Sequence, residues 1–226
     1  MGAYWPYFAL VAMVAALFLV ERRHRAAVTR LEENALAILI AAITIISFTQ
    51  VVARYGFNSG WGGALELNRI LFAWLILFGM SYGVKTGLHL GVDAAIRIFP
   101  PRAFKIAALF GALCVLLYAV ILLSSDWLGL FGARSKGGAV FYWTKFFNIG
   151  LGLDDLRYPE FIQSLFGVQD RVQRWIAYLM LPVGLALLAF RALEAIFQIA
   201  RGSRELIIAG HEAEELVAEN KGLLED

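Results

Sequence analysis

Glu66 and Arg69 stand three residues apart at the edge of a long apolar run, a spacing that puts them on one helical face within ion-pair reach. Glu66 at a helix N-terminus also suits the positive end of the helix dipole. The two read as a local cap and interfacial pair, or as a contact to another subunit or to lipid headgroups. Arg191 and Glu194 repeat the spacing near the end of the last apolar run, where a long side chain can snorkel towards water. His89 and Asp93 lie four apart and can pair, which would make that contact sensitive to pH through the imidazole. His24 and His211 also lie outside the apolar runs, so paired axial haem ligands inside a bundle are not expected. Cys114 is the single cysteine, so the chain has no internal disulfide and that thiol has no partner for a metal site. No Gly-Lys phosphate loop, Gly-x-Ser-x-Gly elbow or His-Glu-x-x-His pair occurs. The expectation is a chain with no catalytic, substrate-binding or metal residues and no cofactor.

The remaining signals concern packing. Gly79, Gly83, Gly87 and Gly91 recur every four residues and line one ridge if a single helix runs through them, letting another helix approach closely. The approaching helix can be internal or belong to another subunit. Ala108 and Ala112, beside Ala107 and Gly111, offer a similar small face further on. Thr44, Ser47 and Gln50 share a face, and can either bond across to a neighbour or satisfy their own helix.

These residues need membrane helices to position them. The chain has 226 residues, 60% hydrophobic and 17% charged, against about 25% charged in a soluble domain; its mean hydropathy is +0.69. The charges are absent from long blocks and crowded between them. A spanning helix needs roughly 20 apolar residues, and the backbone must be helical because lipid offers it no hydrogen bonds. Four transmembrane helices are predicted at 35–53, 67–84, 106–125 and 175–197. The apolar block 1–20 includes Tyr4, Trp5 and Tyr7, lacks the positive start of a cleavable leader, and is followed by Arg22, Arg23 and Arg25. It is read as an additional N-terminal apolar helix, either an uncleaved anchor or a docked interfacial helix. The fold class is an all-α membrane protein.

Arginine and lysine set the orientation. Arg22, Arg23, Arg25 and Arg30, then Lys85, Arg97, Arg102 and Lys105, then Arg201 and Arg204 face the cytoplasm. The long segment 126–174 is then periplasmic. It is rich in aromatics and broken by glycines, and predicts two short amphipathic helices at the membrane surface, near Ala139–Ile149 and Pro159–Phe166. They either cover helix ends or form part of a docking surface for a periplasmic partner. The tail 201–226 reads as an acidic amphipathic helix on the cytoplasmic side. Lys+Arg 20 against Asp+Glu 18 gives no case for nucleic acid.

The run Gln50-Val51-Val52-Ala53-Arg54-Tyr55-Gly56-Phe57-Asn58 leads to Glu66, then Arg69, Phe72, Trp74 and Gly79, then Lys85-Thr86-Gly87-Leu88-His89 and Asp93. This stretch resembles the small membrane subunit (DctQ-type) of tripartite ATP-independent periplasmic (TRAP) transporters. The resemblance implies two partners: a large membrane subunit holding the substrate and sodium sites, and a periplasmic substrate-binding protein. It also implies a bacterial inner-membrane location, with membrane lipids around the chain. The role implied is to widen and brace the fixed scaffold of a sodium-coupled elevator. The extra N-terminus and long outer segment resemble dicarboxylate-type systems, implying a four-carbon dicarboxylate such as succinate, malate or fumarate. Residue by residue, the motif falls on Arg54, Tyr55, Glu66, Arg69, Trp74, Gly79, Lys85, Gly87, His89 and Asp93, which join Gly83 and Gly91 as candidates for subunit packing or interfacial anchoring. The rival readings are a membrane anchor of another complex, such as a redox enzyme, and an autonomous small carrier.

Overall fold

The computed structural model describes residues 4–87 and 100–202. Its long helices are α1 (Trp5–Arg23), α2 (Arg25–Gly56), α3 (Ala64–Thr86) and α4 (Pro101–Leu123). The segment that follows α4 holds a short 3-10 turn (Asp126–Phe131), α5 (Ala139–Ile149), β1 (Gly152–Arg157), α6 (Glu160–Phe166) and β2 (Arg171–Gln173). The chain closes with α7 (Arg174–Tyr178) and α8 (Met180–Arg201). Among the described residues, five helical stretches are long and apolar enough to cross a membrane: α1, α2, α3, α4 from Lys105, and α7 with α8 as Arg174–Arg201. The all-α membrane class is therefore correct, with one small antiparallel β1–β2 ribbon added.

The helices contain or overlap the predicted spans, and they differ at their ends for physical reasons. α2 starts at Arg25 and has 32 residues, roughly 48 Å of helix against a hydrocarbon core of about 30 Å. Its charged first turns therefore continue the helix beyond the apolar run. Pro6 sits in the first turn of α1, where its missing N–H costs no helical bond. α4 stops at Leu123 because the Ser125 N–H leaves the helical ladder and donates to Gly137 O at 2.7 Å. α3 stops at Thr86, where Gly87 turns to φ +78° while its N–H still donates to Gly83 O. That left-handed residue is a common helix end, so the predicted glycine ridge does not run on through Gly87 as one helix. Gly91, like His89, Asp93 and the tail helix beyond Gly202, lies outside the described residues.

The chain forms two compact units, Met1–Gly79 with Val120–Leu187, and Met80–Ala119 with Leu188–Asp226. In the first, Leu10, Val140 and Ala186 form one buried cluster with Tyr7, Met13, Val14, Leu123 and Val183 against it. Leu153, Leu156 and Ala177 form another, packed by Leu67, Ile70, Val172 and Tyr178. The aromatics of α1, α5 and α7 knit this unit together. Trp5, Phe147 and Trp175 each lie 5.4–6.4 Å, centroid to centroid, from Trp143. The Trp143 indole N–H donates to Trp175 O at 3.0 Å, so its polar edge is satisfied where its body is buried. In the second unit, Val84, Ala119, Leu188 and Ala195 form the buried cluster, and Lys105 Nζ donates to Ala200 O in the last turn of α8, where cations complement the helix dipole.

Candidate functional site

Among the described residues, those singled out by sequence do not converge on one cavity; they divide between a clasp and two open helix faces. At the clasp, one carboxylate oxygen of Glu66 accepts the backbone N–H groups of Asp155 at 2.8 Å and Leu156 at 2.7 Å. The expected pairing with Arg69 does not form among the described residues. Two neighbouring amides of β1 take the carboxylate instead, because the ribbon lies against the first turn of α3. Gly63 makes that approach possible: a Cβ there would meet Leu156 Cδ1 at 3.0 Å and Asp155 O at 3.1 Å. Charge-assisted bonds of this kind contribute about 1.5–3 kcal/mol each. The ribbon is closed from its other side by Arg157 to Asp170 at 2.7 Å and Arg174 to Asp154 at 3.3 Å. Both pairs are partly exposed and contribute little.

The polar residues of α2 resolve both ways. Thr44 Oγ1 donates to Ile40 O within its own helix, whereas Ser47 Oγ accepts Asn68 Nδ2–H across to α3 at 2.9 Å. Gln50 Oε1 accepts the Trp61 N–H at 3.0 Å and folds the α2–α3 loop back on the helix end.

Arg69 lies on an exposed stripe of α3 with Leu65, Phe72, Ile76 and Met80. The spacing of three, four and four residues continues to Gly83, where an added Cβ would meet no atom within 4 Å. Gly79 is nearly as open, with Leu36 Cδ2 at 4.0 Å. Trp74 faces away from the stripe and packs at a tilt against Phe78, ring centroids 4.9 Å apart. α2 presents a second open stripe, Leu31, Ile38, Ile45, Phe48, Val52 and Tyr55, with Arg54 exposed beside it. Lys85 is half-buried in the last turn of α3.

Arg191 corrects the sequence reading most sharply. It does not snorkel. Its side chain is 0% exposed, with Nη1 on Glu194 Oε2 at 2.9 Å and the guanidinium 5.1 Å from the Phe190 ring centre. Glu194 in turn accepts Gln198 Nε2–H at 3.0 Å. Leu185, Leu188, Ala192, Ala195 and Ile199 are the buried stripe of α8, and Arg191 falls on it. A charge there is tolerated only with a partner.

A family model described as "Tripartite ATP-independent periplasmic transporters, DctQ component" matches residues 43–202. The C4-dicarboxylate TRAP transporter small permease protein DctQ of Vibrio cholerae is 36% identical over 193 residues, 82% of this chain and 78% of that protein. The protein of the same description from Pseudomonas aeruginosa is 29% identical over 201 residues, 76% of this chain and 83% of its own length. That from Rhodobacter capsulatus is 28% identical over 205 residues, 76% and 77% respectively.

Proposed function

Because the chain belongs to the DctQ component family of TRAP transporters, and is thus a small permease subunit of the bacterial inner membrane and not an enzyme, we propose that it braces a large sodium-coupled elevator subunit. The transported compounds are organic acids, with four-carbon dicarboxylates favoured by the descriptions of three relatives. A periplasmic substrate-binding protein delivers them, and the C-terminus of this chain lies in the cytoplasm.

The observation that carries the bracing role is the open stripe of α3. Leu65, Phe72, Ile76 and Met80 offer apolar contact, and the unfilled space over Gly83 admits a foreign helix at close range. Arg69 on the same stripe supplies one charge near the helix start, where a partner carboxylate or a headgroup can meet it. The polar groups of the spans already have structural work: Glu66 holds the β-ribbon, Asn68 ties α3 to α2, and Glu194 neutralises Arg191. On this reading Arg54, Tyr55, Glu66, Arg69, Trp74, Gly79, Gly83, Lys85, Gly87, His89, Gly91 and Asp93 serve packing and anchoring, and substrate selectivity lies in the partners.

Reconstitution tests it. Liposomes carrying this chain with its large partner, given the periplasmic protein and an inward sodium gradient, should take up labelled succinate, and liposomes lacking this chain should not. Uptake by this chain alone would replace the brace by an autonomous carrier.

A further inference from the structure

The loop between α4 and α5 is closed at its base into a foot. Its neck is closed by three hydrogen bonds: the N–H and Oγ of Ser125 both donate to Gly137 O, at 2.7 and 3.0 Å, and Gly137 N–H donates to Asp126 Oδ1 at 2.8 Å. Gly138 seals the neck against the helix end, with φ +129° and only 2.7 Å between the place of a Cβ and Leu123 O. These bonds join the two ends of the loop at its base. Trp127 packs edge-on against Phe131, centroids 6.0 Å apart. Leu130 and Phe131 then stand 86% and 78% exposed, side by side. Arg134 and Lys136 follow, both exposed and without an ion pair among the described residues.

Three observations say what covers this tip. It follows the last turn of a spanning helix within a few residues, so it lies at the boundary between hydrocarbon and headgroups. It combines apolar side chains with an aromatic pair, which suits that boundary. Its two cations complement an anionic surface. The other exposed apolar tip in this segment, Phe161, Leu165 and Phe166 of α6, is flanked by Glu160 and by Asp170, which is already paired with Arg157.

We propose that residues 126–136 form a lipid-binding foot: Leu130 and Phe131 insert below the headgroups, and Arg134 and Lys136 take the phosphate of an anionic phospholipid. The foot fixes the depth and tilt of α4 in the bilayer. It rests on the spanning character of the helices alone and stands apart from the bracing role.

The test places an environment-sensitive fluorophore at Phe131→Cys, or separately at Leu130→Cys, in a Cys114→Ala chain. The probes are phosphatidylcholine vesicles with and without phosphatidylglycerol. The expected result is blue-shifted emission, quenched by lipids spin-labelled near the headgroup and more strongly so with phosphatidylglycerol. Arg134→Gln with Lys136→Gln should abolish that phosphatidylglycerol dependence, each cation contributing about fivefold on an anionic leaflet. Solvent-like emission from both positions would overturn the proposal. So would shielding that appears only when the large subunit is present, or identical emission in both vesicle types for the parent and the double variant.

Discussion

Glu66 reaches across 90 residues of sequence to accept the amide N–H of Leu156 at 2.7 Å, and the same oxygen takes the neighbouring amide of Asp155 at 2.8 Å. The first turn of a membrane helix thus holds the β1–β2 ribbon in place. The clasp explains why a carboxylate stands at the start of α3: the helix dipole and the two β1 amides draw on the same charge.

Glu66→Ala should therefore loosen the ribbon without unfolding the helices. Two amides lose their acceptor: the half-buried one at Leu156 costs about 1–3 kcal/mol when left unsatisfied, and the exposed one at Asp155 turns to water. Hydrogen exchange at residues 152–157 should accelerate while α2 and α8 keep their protection. Unchanged exchange in the ribbon would mean that the Leu153 and Leu156 cluster alone holds it.

The Arg191–Glu194 pair should behave as a buried ion pair. Glu194→Ala strips a partner from a fully buried guanidinium and should cost about 3 kcal/mol, seen as a lower unfolding temperature in detergent. Arg191→Met with Glu194→Leu removes both charges and should recover much of that loss. A double variant as unstable as the single one would show that other contacts of this network, not the pair, carry the stability.

Two glycines separate internal from external packing. A Cβ at Gly184 would fall 2.5 Å from Leu77 Cβ, so Gly184→Ala should destabilise the chain by about 1–3 kcal/mol through overpacking. Gly83 faces open space, so Gly83→Leu should leave the unfolding temperature of the isolated chain nearly unchanged and reduce co-purification with the large subunit. Normal assembly and transport by the Gly83→Leu transporter would remove that face from the interface.

Much of this was legible in the sequence because hydropathy reports lipid directly. The spans and the Ala139–Ile149 helix follow from apolar runs and from aromatic periodicity bounded by Gly138 and Gly150. The ribbon was not legible. Its strand Gly152–Arg157 carries Asp154, Asp155 and Arg157, with no alternation of apolar and polar residues, and it is held by a carboxylate 90 residues away. The inward turn of Arg191 was hidden because charge near a helix end suggests snorkelling. The buried spacing of Leu188, Ala192, Ala195 and Ile199 would have placed it inside. The length of α2 escaped because its charged first turns read as loop, although helix formers continue through them.

A small permease subunit of this kind is proposed to work within a larger membrane assembly. The most direct measurement is a pull-down of the tagged chain in mild detergent, expressed with the genes beside its own, with co-purifying proteins identified by mass spectrometry. The expected result is a stable complex with a much larger multi-span membrane protein, weakened by Gly83→Leu. A chain that purifies alone, monodisperse and stable, and that carries substrate by itself in liposomes, would contradict it.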